Sequence, residues 1–283
     1  MYVTKDPKSL NTAAIVLDGE ARPHPNLAKP KNNPDGTPDF VKPDGAEPVS
    51  FSIVKCNALH KNGYRVFDVR EIVSFSGSSL EAAAPVINIL NDIQPFLITH
   101  NGKNYDLALL ANTAAEHGIK FPYLNLGGKW DHPLHMYSSK THFDTCFDAA
   151  GRFLKLSNLT ERYRIPCKIG MSGADVAKYY DEGRISEIVA YNEMDAIATY
   201  LVAGRLLHMR DQMTDEGLKK SEDSMRGYLL EHGFEREHLF EFNQAWGAPP
   251  KEHFDLAPSK IINLEEKLIE RDSAEASEPN DLF

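Results

Sequence analysis

The residues of this sequence best placed to do chemistry are carboxylates. In VLDGE, Asp18 and Glu20 stand two apart at the end of a short apolar run, Thr12 to Glu20. Strand alternation puts both side chains on one face. Two adjacent carboxylates repel unless a cation lies between them, and a hard divalent metal suits such a pair. In FLITHNGKNYDLALLANTAAEHG, an apolar run breaks at His100, Asn101, Lys103, Asn104 and Asp106 before an amphipathic pattern resumes. Asp106 falls in a helix first turn, where the dipole favours an acid, and Asn104 is placed to cap that helix. In YNEMDA, Tyr191 and Asp195 are four apart on a helical segment and share a face with Ile188, Thr199 and Val202. That face points inward, and a buried aspartate needs a partner or a metal. Taken singly, each feature has a plain structural account: strand-end acids, helix capping, a buried Tyr–Asp hydrogen bond.

The elements that must position these residues follow from periodicity. TAAIVLDGE reads as a buried strand. Arg22 to Pro48, rich in proline and without periodicity, reads as a long loop, of the kind that is either functional or disordered. VSFSIVKCNAL and YRVFDVREIV, separated by HKNG, read as a β-hairpin. SSLEAAAPVINILND carries a serine cap and helical spacing. PFLITH reads as a strand, YDLALLANTAAEHG as a helix and THFDTCFDAA as another strand. Beyond Ser157 the pattern is mainly helical to about Trp246, with one further possible helix, SKIINLEEKLIERD, in a polar tail. Strand and helix order predict an α/β fold with a mixed sheet.

Bulk properties exclude some classes. No apolar run approaches the roughly 20 residues of a membrane span, and MYVTKDPKSLNTAA lacks a signal-peptide core. Cys56, Cys146 and Cys167 are scattered and odd in number, so a reducing, cytoplasmic setting is expected. The formal net charge of −10 argues against a general nucleic-acid binder. Its distribution matters more. The last twenty residues hold seven acids and two bases, whereas GRFLKLSNLTERYRIPCK, from Gly151, holds five bases and one acid. That basic stretch is either a solvated helix face or a contact for polyanions. Asp131, His132 and His135 in WDHPLH lack a fourth ligand at zinc-like spacing. Asp144 and Asp148 read as structural or peripheral. Phe143, Tyr123, Trp130 and Tyr137 read either as base-stacking rings or as packing.

The ordered set is more specific than its parts. Asp18-x-Glu20, Asn101-x-x-x-x-Asp106 and Tyr191-x-x-x-Asp195 resemble the three motifs of DnaQ-like, DEDD-type 3'-5' exonucleases with an RNase H-like fold. The resemblance spans about Thr12 to Leu207. It lies nearest the predicted exonucleases related to the proofreading domain of family-B DNA polymerases. Ala190 stands where the histidine branch would need His, and Tyr191 is in register, which resembles the tyrosine (DEDDy) branch. Family members often carry D-I-E-T in the first motif; here it is Asp18-Gly19-Glu20-Ala21, which puts the positioning of a terminal nucleotide in question.

The resemblance implies a mixed sheet flanked by helices with a helical C-terminal extension. The expected division is an exonuclease domain over 1–210, a helical extension over 211–254 and an acidic, flexible tail over 255–283. It implies two divalent cations, Mg²⁺ or Mn²⁺. Asp18 would bridge both, Glu20 and Asp195 complete one, Asp106 support the other partly through water, and Tyr191 orient the attacking water. Leu17, Gly19, His100, Asn101 and Tyr105 would meet the substrate. The expected activity is release of nucleoside 5'-monophosphates from 3' ends of single-stranded DNA, in replication or repair. The alternatives are an RNase D-like exoribonuclease and a catalytically silent nucleic-acid-binding accessory protein. EPNDLF resembles the acidic tips of single-stranded-DNA-binding proteins and suggests a replication or repair protein as partner; a disordered tail is the plainer account.

Overall fold

Alternation along the strands decides which residues face which layer of the molecule. The computed structural model describes residues 13–27, 41–61, 64–127, 132–135, 141–148, 153–167 and 170–246. Five strands form one sheet: β1 (Ala13–Pro23), β2 (Ala46–Lys61), β3 (Tyr64–Ser76), β4 (Phe96–Thr99) and β5 (His142–Asp144), in the order β3-β2-β1-β4-β5. β1 is antiparallel to β2 and parallel to β4, β2 is antiparallel to β3, and β4 is parallel to β5. The sheet is therefore mixed, as expected, and the architecture is RNase H-like.

β1 is central, so both its faces are buried and AAIVL reads as an unbroken apolar run. Ile15 and Leu17 pack with Phe51, Ile53 and Leu97 against α1 (Ser79–Ile93) and α2 (Asp106–Glu116). Ala14 and Val16 point the other way and pack with Val54, Phe67 and Ile98 against α5 (Ile185–Met209), α6 (Asp215–His232) and α7 (Glu237–Ala245). Two short helices, α3 (Leu156–Tyr163) and α4 (Val176–Asp181), precede α5. α5 has 25 residues, buried over most of its length, so its central turns lie under the sheet. α1 starts at a capping box between Ser78 and Glu81 and retains Pro85 in its interior.

Three expectations need correction. The Arg22–Pro48 stretch is not all loop. β1 continues to Pro23 and pairs with Ala46, Glu47 and Pro48, past a register shift between Glu20 and Ala21. Glu20 is thus followed by a bulge inside a strand, a device that re-aims side chains beside functional sites. Arg22 fixes this extension: it meets Glu47 at 2.6 Å and Asp181 at 3.3 Å, and lies 4.0 Å over the Tyr180 ring. Residues 28–40 of the expected loop lie outside the described residues. Among the described residues of THFDTCFDAA, only His142–Asp144 is strand, because the Asp144 carboxylate accepts from the Cys146 N–H and turns the chain. Asn104 does not cap α2. Its amide donates to Asn101 Oδ1 at 3.2 Å, and Tyr105 holds the cap position without a side-chain bond.

α6 and α7 pack on β3 and α5 through Met225, Leu229, Leu239 and Phe242. No helix among the described residues is long and apolar enough to cross a membrane. Among the described residues, no disulfide joins Cys56, Cys146 or Cys167. Residues 247–283, with the expected SKIINLEEKLIERD helix and the EPNDLF terminus, lie outside the described residues.

Candidate active site

Three of the predicted carboxylates converge. Oxygens of Asp18 and Glu20 on β1 and of Asp195 on α5 all lie within 4.8 Å of one another. Alternation puts the first two on the face toward α5, where Asp195 is 6% exposed. Tyr191, one helical turn earlier, is buried and donates its hydroxyl to the Asp195 carboxylate. Burial, then Asp195, Glu20 and Asp18, push its phenol above the ordinary tyrosine range.

Asp106 reaches the same place from the other face of β1 and stays outside that triad. It accepts from the Gly19 N–H, and burial pushes its carboxyl up to about 8, with Asp144 adding to the shift. Gly19 is the opening that admits it. A Cβ there would lie 2.9 Å from Asp106 Oδ1 and 2.3 Å from Phe51 Cε1. The Phe51 ring, fully buried on β2 opposite Gly19, thus fills the space an apolar side chain would take. Gly19 and Phe51 are thus complementary in shape.

Burial, then Asp106, Asp195 and Glu20, hold Asp18 well above the ordinary carboxylate range; a hydrogen bond from Asn192 Nδ2 at 2.7 Å opposes them. Asn192 in turn accepts from Ser50 Oγ at 3.1 Å. Sequence reading missed Asn192. The available signal was its position three residues before Asp195, on the same helical face. Cys167 was also missed; its Sγ lies 3.5 Å from Asp195 Oδ1.

The polar junction before α2 has a structural purpose. Asp144 accepts from the Asn101 N–H at 2.8 Å and the Lys103 N–H at 3.0 Å. Lys103 Nζ donates to both oxygens of Asp148, at 2.8 and 2.9 Å, and this ion pair is nearly solvent-free, with side chains 2% and 5% exposed. Asp148 also accepts from the Asp144 N–H at 2.8 Å. Asn101 sits in the left-handed region at φ 67°, which asparagine tolerates better than most residues. The clamp fixes the loop that aims Asp106, so Asp144 and Asp148 are structural, as their spacing suggested.

The other predicted contacts are spread over this loop and β1. Tyr105 lies near Glu20 and Asp106; burial and then those two carboxylates push its phenol above the ordinary range. His100 Nδ1 is 2.8 Å from Thr145 Oγ1. Leu17 is fully buried, which leaves its backbone as its route to a substrate. Phe143 and Tyr123 are core residues, not stacking rings; Trp130 and Tyr137 lie outside the described residues, as does Asp131 of the weighed zinc motif.

The donor set fits a hard divalent cation. All ligands are carboxylate oxygens, and the mutual repulsion that raises Asp18 is what a cation would relieve.

Among curated proteins, none matches the chain. Solved structures that match include E. coli Exonuclease I in complex with a dT13 oligonucleotide: 13% identity, 82% of this chain and 46% of that chain covered, TM-score 0.37. A zinc-ion-bound E. coli ExoI–ssDNA complex matches at 12% identity over 78% of this chain and 43% of that one, TM-score 0.38. The chain thus spans less than half the length of either structure. A family model described as a predicted 3'-5' exonuclease related to the exonuclease domain of PolB matches residues 38–246. That match contains Asp106, Tyr191 and Asp195; Asp18 and Glu20 precede it, and β1 brings them to the same cluster. On this match, and with both outlying carboxylates delivered by the central strand, the chain belongs to the predicted 3'-5' exonucleases related to the exonuclease domain of PolB.

Proposed function

We propose that the chain hydrolyses phosphodiester bonds from the 3' end of single-stranded DNA, as a tyrosine-type DEDD exonuclease releasing nucleoside 5'-monophosphates. The observation that carries this reading is the convergence of Asp18, Glu20 and Asp195 within 4.8 Å, with Tyr191 hydrogen-bonded to Asp195. Asp18, Glu20 and Asp195, with Asp106 behind Asp18, would hold two divalent cations, Mg²⁺ or Mn²⁺. Such a pair supplies charge stabilisation on the phosphate and acidifies the attacking water.

The protein's own residues do the rest. Asn192 orients Asp18 by occupying Oδ2. The Gly19 N–H and the Lys103–Asp148 clamp fix Asp106. Tyr191, which donates its hydroxyl to Asp195, would position a water by hydrogen bonding. Tyr105, Asn101 and His100 line the approach to the terminal nucleotide. The three scattered cysteines, odd in number, fit a reducing, cytoplasmic setting, and replication or repair is the process we assign.

The test is digestion of a 5'-labelled DNA oligomer with Mg²⁺ or Mn²⁺, beside EDTA, Asp195→Ala and a ribo-oligomer of the same sequence. A ladder shortening from the 3' end, absent in both controls and faster on DNA, is expected. Preference for the ribo-oligomer would replace DNA with RNA. A folded protein that cuts neither would overturn the catalytic reading.

A further inference from the structure

α3 and the residues before it border a cavity of about 380 Å³, lined by Phe153, Leu154, Lys155, Asn158, Leu159 and Arg162. It carries two cations and no acid in a chain whose net charge is −10. Phe153 is 59% exposed, with the Phe147 ring set against it at 6.1 Å and an interplanar angle of 66°. Lys155, Asn158 and Arg162 are exposed too. Among the described residues, none of these three side chains is joined to another by a hydrogen bond or ion pair. Exposed Arg184, by contrast, is tied down: it binds Glu187 at 2.6 Å and Glu182 at 3.1 Å. An exposed ring flanked by uncommitted cations is the composition of a single-strand binding surface, where a base stacks and phosphates meet positive charge.

The position fits as well. From α3 the chain passes through Arg164 and buried Ile165 to Cys167, whose Sγ is 3.5 Å from Asp195 Oδ1.

We propose that this cavity is an upstream subsite for single-stranded nucleic acid: one base stacks on Phe153, and its flanking phosphates meet Lys155 and Arg162. The inference rests on the nuclease reading above, since it sets the strand's 3' end at the carboxylates.

The probe is 5'-fluorescein-labelled dT12, with binding followed by anisotropy in EDTA over a range of salt. Wild type binds. Phe153→Ala binds about ten-fold more weakly, the loss of one stacked base. Phe153→Leu, which keeps an apolar side chain but no ring, is as weak. The double variant Lys155→Gln/Arg162→Gln lowers the slope of log Kd against log salt by about 1.4, the value for two phosphate contacts on a single strand. Lys219→Gln, which removes an exposed charge on α6, leaves Kd and slope as in wild type. Unchanged affinity and slope in the cavity variants overturn the subsite. So does full recovery in Phe153→Leu, or a wild type that does not bind dT12. Hydrolysis of the same oligomer by wild type in Mn²⁺ reports on the nuclease reading separately.

Discussion

Removing the charge of Asp106 should make the metal-free protein more stable, by an amount that grows with pH. Asp106 is 3% exposed, and its folded-state pKa is raised from the ordinary 3.8 to about 8. Between those values the folded state holds a proton that the unfolded chain has released. Stability is therefore fully present at acid pH and lost as pH rises through that window. One proton of difference changes the unfolding free energy by about 1.4 kcal/mol per pH unit. From pH 5.5 to 7.5 that is on the order of 2–3 kcal/mol, a large share of a net stability near 10 kcal/mol. Asp106→Asn keeps the acceptor for the Gly19 N–H and removes the ionisation. The assay is urea unfolding of both proteins in EDTA at half-unit pH steps from 5 to 8.5. The gap in favour of the variant should widen with pH. Added Mg²⁺ or Mn²⁺ should close it for wild type alone, because cations hold the carboxylates ionised. Parallel pH profiles in EDTA would refute the idea that Asp106 is a buried, protonated carboxyl awaiting a cation.

The remaining predictions concern the supports of the site. Gly19→Ala drives a methyl into a fully buried Phe51 ring and should destabilise the fold by about 1–3 kcal/mol; Phe51→Leu in the same chain should recover part of that in the same denaturation assay. Lys103→Met strands Asp148 in a nearly dry site and should cost about 3–5 kcal/mol, with weaker Mn²⁺ binding by calorimetry as the Asp106 loop loosens. Tyr191→Phe should lower kcat about 10- to 100-fold through lost water positioning, read by single-turnover digestion with Mn²⁺ saturating both proteins; an unchanged kcat would count against this role.

The motif residues and most elements were legible in the sequence because they obey local rules. Alternation placed Asp18 and Glu20 on one face and a helical period joined Tyr191 to Asp195. The hairpin and the helices through Trp246 follow from hydrophobic period and turn residues. Two local expectations gave way, one to longer-range partners and one to a neighbour three residues away. Arg22 and Pro23 look like loop in isolation, yet cross-strand pairing and the contacts of Arg22 with Glu47 and Asp181 hold them extended. Asn104 looks like a helix cap, yet Asn101 claims its amide.

What the sequence by itself determined is the set of chemical groups and their local faces: strand and helix period gives the faces, and the motif resemblance singles out four carboxylates and a tyrosine. What only the tertiary structure decided is their convergence and its supports. Gly19 and Phe51 are 32 positions apart and become complementary only when β1 pairs with β2. Asn192 finds Asp18 across 174 residues, and the Lys103–Asp148 pair closes over 45. No period or propensity reports such contacts, because their free energy exists only once the packed layers have excluded water from between the partners.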